Sequence, residues 1–170
     1  DESDERRERC EWQVVRPSRY ARRITGYTPI EIGGPAAGDP RLATSADPTG
    51  RVVLGTLNNC AHGHTPWGTY LTCEENWNGY FGTDDATFAP SALEARYGIS
   101  RGGFGYNWHK AEQRFDLTVN RNEANHFGWV VEIDPSNPNS TPTKRTALGR
   151  IKHEGATCVE SRGRVVVYTG

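Results

Sequence analysis

The densest group of chemically capable side chains falls between residues 58 and 78, where Cys60, His62, His64, Cys73, Glu74, Glu75 and Asn76 crowd together. Cys60 sits in a stretch bounded by amides and glycine. A thiol beside such polar groups can serve as a thiolate metal ligand. The plainer alternative is a buried structural cysteine or half of a disulfide. Glu74-Glu75 closes a run of β-forming residues. Side chains alternate along a strand, so only one of the two carboxylates can share a face with Cys60. Paired acids at a strand end suit hard cations such as calcium or ferric iron. Their plainer role is a solvated strand end.

Other groups offer weaker chemistry. His62-x-His64 can place both imidazoles on one side of an extended segment, a zinc-like pattern, but nothing nearby completes a ligand set. His153-Glu154-Gly155 sets an acid between an imidazole and a flexible residue. Asn120, Asn122, Glu123 and Asn125 could supply oxygens to calcium, or form an ordinary loop. The cysteines at 10, 60, 73 and 158 lack zinc-ribbon spacing, and Cys73 and Cys158 read as strand positions that are buried or bridged.

The elements that must position these groups are short. Residues 27–32, 51–56, 68–75, 128–135, 145–152 and 164–168 read as strands. Residues 57–67, rich in Asn, Gly, Thr and Pro, read as a loop. Residues 90–97 fit one short helix, started by Pro or Ser and stopped by Gly98. Residues 1–11 carry nine charges of mixed sign, a frayed helix or solvated tail. Short strands with long loops point to an all-β sandwich, barrel or propeller. Residues 1–50 read as a segment leading into a domain over 51–170.

Composition narrows the functional classes. The chain has 20 Lys+Arg against 21 Asp+Glu, so no basic surplus drives nucleic-acid binding. No apolar run is long enough to span a bilayer. Leu, Ile, Val and Phe number only 29 of 170, so 5 Trp and 7 Tyr must help to fill the core. There is no Met, and a strand runs up to the last residue. The expectation is a portion of a longer chain.

Several long segments resemble one family. Asn58-Asn59-Cys60-Ala61-x-Gly63-x-Thr65-Pro66-Trp67-Gly68-Thr69-x-Leu71-Thr72-Cys73-Glu74-Glu75-Asn76 is similar to the signature of PhoX alkaline phosphatases. So are Asn78-Gly79-Tyr80-Phe81, Arg96-Tyr97-Gly98, the segment 127–135, and the segment 144–156 that contains Lys152-His153-Glu154-Gly155-Ala156. The resemblance implies an all-β fold, here part of a β-propeller with an incomplete set of blades, long loops and one or two short helices. It implies a phosphomonoesterase hydrolysing phosphate esters at a cluster of iron (Fe3+) and calcium. Cys60 would be the bridging thiolate, Glu75 and Glu154 iron ligands, and Glu74 a partner in the cation cluster. It also implies twin-arginine export to the periplasm or medium, action as a monomer, and further acidic ligands and a phosphate-binding arginine beyond residue 170. One departure stands out: His62 occupies a position where the family has glycine, and could crowd the loop or add a hydrogen bond.

Two other readings compete. A family member could keep the scaffold and act as a binding or structural propeller. Alternatively, a small zinc protein could use His62, His64 and a cysteine.

Overall fold

The computed structural model describes residues 13–170. Among them, β1 (Pro29–Gly33), β2 (Val52–Leu54), β3 (Asn59–His64), β4 (Tyr70–Glu74), β5 (Val130–Ile133) and β6 (Thr143–Arg145) form one sheet in the order β2-β1-β6-β5-β4-β3. Only β1 and β6 run parallel; the other pairings are antiparallel. β7 (Ala156–Ser161) and β8 (Arg164–Thr169) make a separate two-stranded hairpin. Its two-residue turn has Arg162 and Gly163 both at positive φ, the geometry that matches strand twist.

Local sequence accounts for the elements. In β1 the buried residues alternate, with Ile30 and Ile32 facing the core. Helix α1 (Ala92–Arg96) starts with a reciprocal capping box between Ser91 and Glu94. Gly98, at φ +76, ends it as expected. A second short helix, α2 (Trp108–Ala111), lies in a stretch of mixed aromatic and polar residues.

Aromatic residues fill part of the core, where Trp77 and Trp129 are buried along with Phe81, Phe115 and Phe127, whereas no tyrosine is fully buried among the described residues. One cluster joins Leu57, Trp77, Phe81, Ile99, Phe115, Leu117, Ala124 and Phe127. Trp77 and Phe127 are wholly buried, and truncation of such a ring costs about 3–5 kcal/mol. A second cluster (Ile30, Ile32, Leu42, Val53, Val131) lies under β1. A third (Leu71, Cys73, Val130, Ala156) joins the sheet to the hairpin, with Cys158 and Val167 against it.

Two expectations change. Residues 59–64 are not loop but strand β3, because β4 supplies pairing partners that their weak β propensity does not advertise. The strand placed at 145–152 is instead β6 at Thr143–Arg145, followed by a 3₁₀ turn over Thr146–Leu148 that Gly149 closes at φ +85. β1, which precedes residue 50, is hydrogen-bonded between β2 and β6 in the same sheet. The architecture is mostly sheet with few short helices, but no closed ring of blades forms among the described residues. Cys60, Cys73 and Cys158 are free thiols, so Cys73 and Cys158 pack rather than bridge. Cys10 and the charged run at 1–11 lie outside the described residues.

Candidate metal centre

Cys60 stands in a β-bulge. Asn59 pairs with Glu74 and His62 with Thr72, so Cys60 and Ala61 together face Cys73. A bulge re-aims the extra residue out of the ladder. Cys60 is exposed, and the Glu75 carboxylate lies within hydrogen-bonding reach of its thiol. That hydrogen bond, some desolvation and the nearby charges of Glu75 and Glu154 push the thiol above its usual range. Without a cation, Cys60 Sγ therefore keeps its proton; a cation that binds there must displace it.

Asn58 sets the approach to this bulge. Its backbone is left-handed, at φ +49, a conformation that asparagine tolerates better than most residues. Its carbonyl accepts the Glu75 N–H at 3.1 Å, and its Oδ1 accepts the Asn76 N–H at 2.9 Å. Asn58 thus ties the chain that leads into Cys60 to the backbone of Glu75 and Asn76.

Glu154 arrives from the other side. The Ala61 N–H donates to the Glu154 carbonyl at 2.7 Å, which ties the bulge to the segment entering β7. Gly63 permits this approach, because a Cβ there would lie 1.6 Å from the Ala156 carbonyl oxygen. His153 anchors the same segment. It is wholly buried, its N–H donates to the Glu74 carbonyl at 3.0 Å, and its ring bridges Gly149 O (3.0 Å) and Thr169 Oγ1 (2.7 Å). Burial lowers its pKa, so it sits neutral, with Nε2–H donating to the carbonyl and Nδ1 accepting from the hydroxyl.

Glu74 points the opposite way, as alternation requires. It is wholly buried. Its Oε1 accepts from Lys144 Nζ at 2.8 Å, and its Oε2 from the Gly128 and Trp129 N–H groups at 2.9 and 3.0 Å. Lys144 is equally buried, donates also to His126 O at 2.7 Å, and lies 4.2 Å over the Phe127 ring. Its pKa is lowered by burial. Both carboxylate oxygens of Glu74 are therefore committed, and it serves the core rather than a cation.

The remaining candidates disperse. His62 stacks on the Tyr70 ring at 5.3 Å instead of crowding the bulge. Asn122 and Asn125 use their amide N–H groups to hold the Ala43 and Arg41 carbonyls, each at 2.9 Å. Glu123 is buried against Arg114 and His126. These residues tie loops together. Among the described residues, no three His, Cys, Asp or Glu side chains form a group ready to hold a metal, so the zinc reading lacks its third ligand. The same holds for the Cys60 set: a thiol and two carboxylates are donor types that suit ferric iron and calcium, but among the described residues they do not close into a metal-holding group. Sequence reasoning passed over Lys144, Gly63 and Asn58. The left-handed tolerance of Asn58 was a usable signal; the Lys144 pairing, 70 positions from Glu74, had none.

Comparison with known proteins agrees with the motifs. The chain is similar to the solved structure of Pseudomonas fluorescens PhoX in complex with vanadate, a transition state analogue, at 55% sequence identity and a TM-score of 0.92. The match covers 96% of this chain and 28% of that one, so the chain spans just over a quarter of that relative's length. No curated protein matched. The family profile described as alkaline phosphatase PhoX matches residues 4–170, and the chain belongs to that family.

Proposed function

We propose that this chain is part of a phosphomonoesterase that hydrolyses phosphate esters at an iron and calcium cluster, with Cys60, Glu75 and Glu154 among the ligands. The observation that supports this reading is the close approach of the three segments that bear these residues. The bulge presents Cys60 to Glu75, and the hydrogen bond from the Ala61 N–H to the Glu154 carbonyl brings the backbone of the third segment alongside. Vanadate bound to the similar PhoX as a transition state analogue fits a phosphoryl substrate.

Bound cations would neutralise the phosphate and stabilise charge in an in-line displacement. The chain's own residues do the positioning. A thiol and two carboxylates would repel a phosphate dianion, so their role is to concentrate cations rather than to touch the ester. Cys60 Sγ gives up its proton as cations bind. Asn58 and His153 hold the two arms so that little ordering remains when ligands bind. We also propose that the sheets described above belong to a propeller, and that the protein acts as an exported monomer.

The test is elemental analysis of the whole protein, purified without chelator, together with a phosphomonoester assay. Iron and calcium with activity support the reading. A stable fold with neither metal and no hydrolysis would overturn it and leave a non-catalytic scaffold.

A further inference from the structure

An aromatic cluster stands exposed beside the candidate centre. Phe104, Tyr106 and Trp108 are 47%, 47% and 39% exposed. They are packed in an organised way. The Tyr80 ring meets Tyr106 and Trp108 edge-on, with centroids 5.2 and 4.7 Å apart, and Phe104 meets Tyr106 at 5.9 Å. Gly79 seats Phe104: a Cβ there would lie 2.2 Å from the ring, and the Phe104 N–H donates to the Gly79 carbonyl at 3.1 Å. Trp108 rests on buried Phe115 at 5.1 Å. Exposed apolar groupings held this firmly mark binding surfaces.

Two links join the cluster to the centre. The Tyr80 hydroxyl accepts from Asn58 Nδ2 at 3.3 Å, and Asn58 is the residue that holds Glu75 and leads into Cys60. On the other arm, Lys152 Nζ lies 5.7 Å over the Phe104 ring, two positions before Glu154. The cluster therefore borders both segments that carry the candidate ligands. A phosphomonoester whose phosphate is held at that centre would extend its ester group toward this surface. Aromatic edges and faces reward a flat π-system there, and the Lys152 ammonium complements the anionic ester. An aliphatic polyol gains neither.

We propose that Phe104, Tyr106 and Trp108, with Lys152, form a leaving-group subsite for phosphomonoesters whose alcohol portion is a planar aromatic ring. The proposal rests on the phosphomonoesterase reading above. The test uses the metal-loaded whole protein with phenyl phosphate and glycerol phosphate. The ratio of their kcat/KM values is compared between wild type, Tyr106→Ala and Phe104→Ala, which removes the better leaving-group chemistry of phenol from the comparison. The ratio is expected to fall about tenfold in each variant, chiefly through KM, as one stacking face is lost. A ratio unchanged in both variants overturns the subsite. A binding measurement separates the two readings: phenylphosphonate against methylphosphonate, by calorimetry. A phenyl preference that weakens in Tyr106→Ala supports the subsite even where neither ester is hydrolysed, an outcome that would overturn the phosphomonoesterase reading alone. Equal affinity for the two phosphonates overturns the subsite.

Discussion

Lys144 Nζ lies 2.8 Å from Glu74 Oε1, with both side chains shut away from solvent. This pair sits one residue from Glu75 and, through the Glu74 carbonyl, holds the backbone of His153 beside Glu154. Lys144→Met would leave a buried carboxylate uncompensated, at a cost of about 3–5 kcal/mol. Adding Glu74→Gln removes that charge and should recover part of the loss. Urea unfolding of the two single variants and the double variant measures this. A single Lys144→Met loss below about 1 kcal/mol would show that the pair contributes little.

Gly63 governs how closely the hairpin approaches the bulge. A Cβ 1.6 Å from the Ala156 carbonyl cannot be accommodated without moving β7 away from β3. Gly63→Ala should therefore reduce bound iron as well as thermal stability. Gly155→Ala, where the new Cβ would meet Ala61 at an ordinary 3.6 Å, is the matched control and should keep its iron. Equal iron contents in the two variants would mean that this close approach does not shape the centre.

How much of this was legible depends on distance along the chain. Cys60, Glu75 and Glu154 stood out because they lie inside long family-like segments; strand alternation required that only one of Glu74 and Glu75 share a face with Cys60, and the buried Lys144 partner of Glu74 decides which. The strands rich in β-branched residues, β1, β5 and β8, were readable for the same local reason. β3 was not, because its Asn, Ala, His and Gly residues have low strand propensity, and β4 dictates their conformation. The burial of Lys144 was equally hidden. A lysine ordinarily signals surface, and its carboxylate partner is remote in sequence.

Glu94 gives a pH-dependent contribution whose sign can be worked out. Arg121 bonds both of its oxygens, at 2.7 and 2.6 Å, and the Ser91 N–H adds a third bond at 2.7 Å. The Arg121 hydrogen bond, foremost, lowers the carboxyl pKa from 4.5 to about 2. A carboxyl that is lowered on folding stabilises fully above its unfolded pKa, and that stability is lost as pH falls through the folded value. Arg121 is half exposed, so solvent screening leaves about 1 kcal/mol. Glu94→Gln should therefore cost about 1 kcal/mol at pH 7, with the gap between variant and wild type closing from about pH 4.5 down to 2. Urea midpoints across that range provide the check. A gap that persists at pH 2 would assign the loss to packing.

The roles of the three candidate ligands can be separated from mere folding by comparing substitutions. Cys60→Ser keeps the size of the side chain but replaces a soft thiolate donor with a poorly acidic hydroxyl. Bound iron and hydrolysis should fall together in the whole protein. Glu154→Gln should do the same, since an amide offers a neutral oxygen where the centre needs charge. Glu160, exposed on β7 six residues further on, shares the segment but reaches none of the three groups. Glu160→Gln should leave metal content and activity within about twofold of wild type, as surface substitutions usually shift stability by no more than about 0.5 kcal/mol. If Glu154→Gln and Glu160→Gln damage iron content equally, the hairpin's fold rather than the Glu154 carboxylate is being measured. Activity retained in Cys60→Ser after iron is lost would remove the thiolate from the centre.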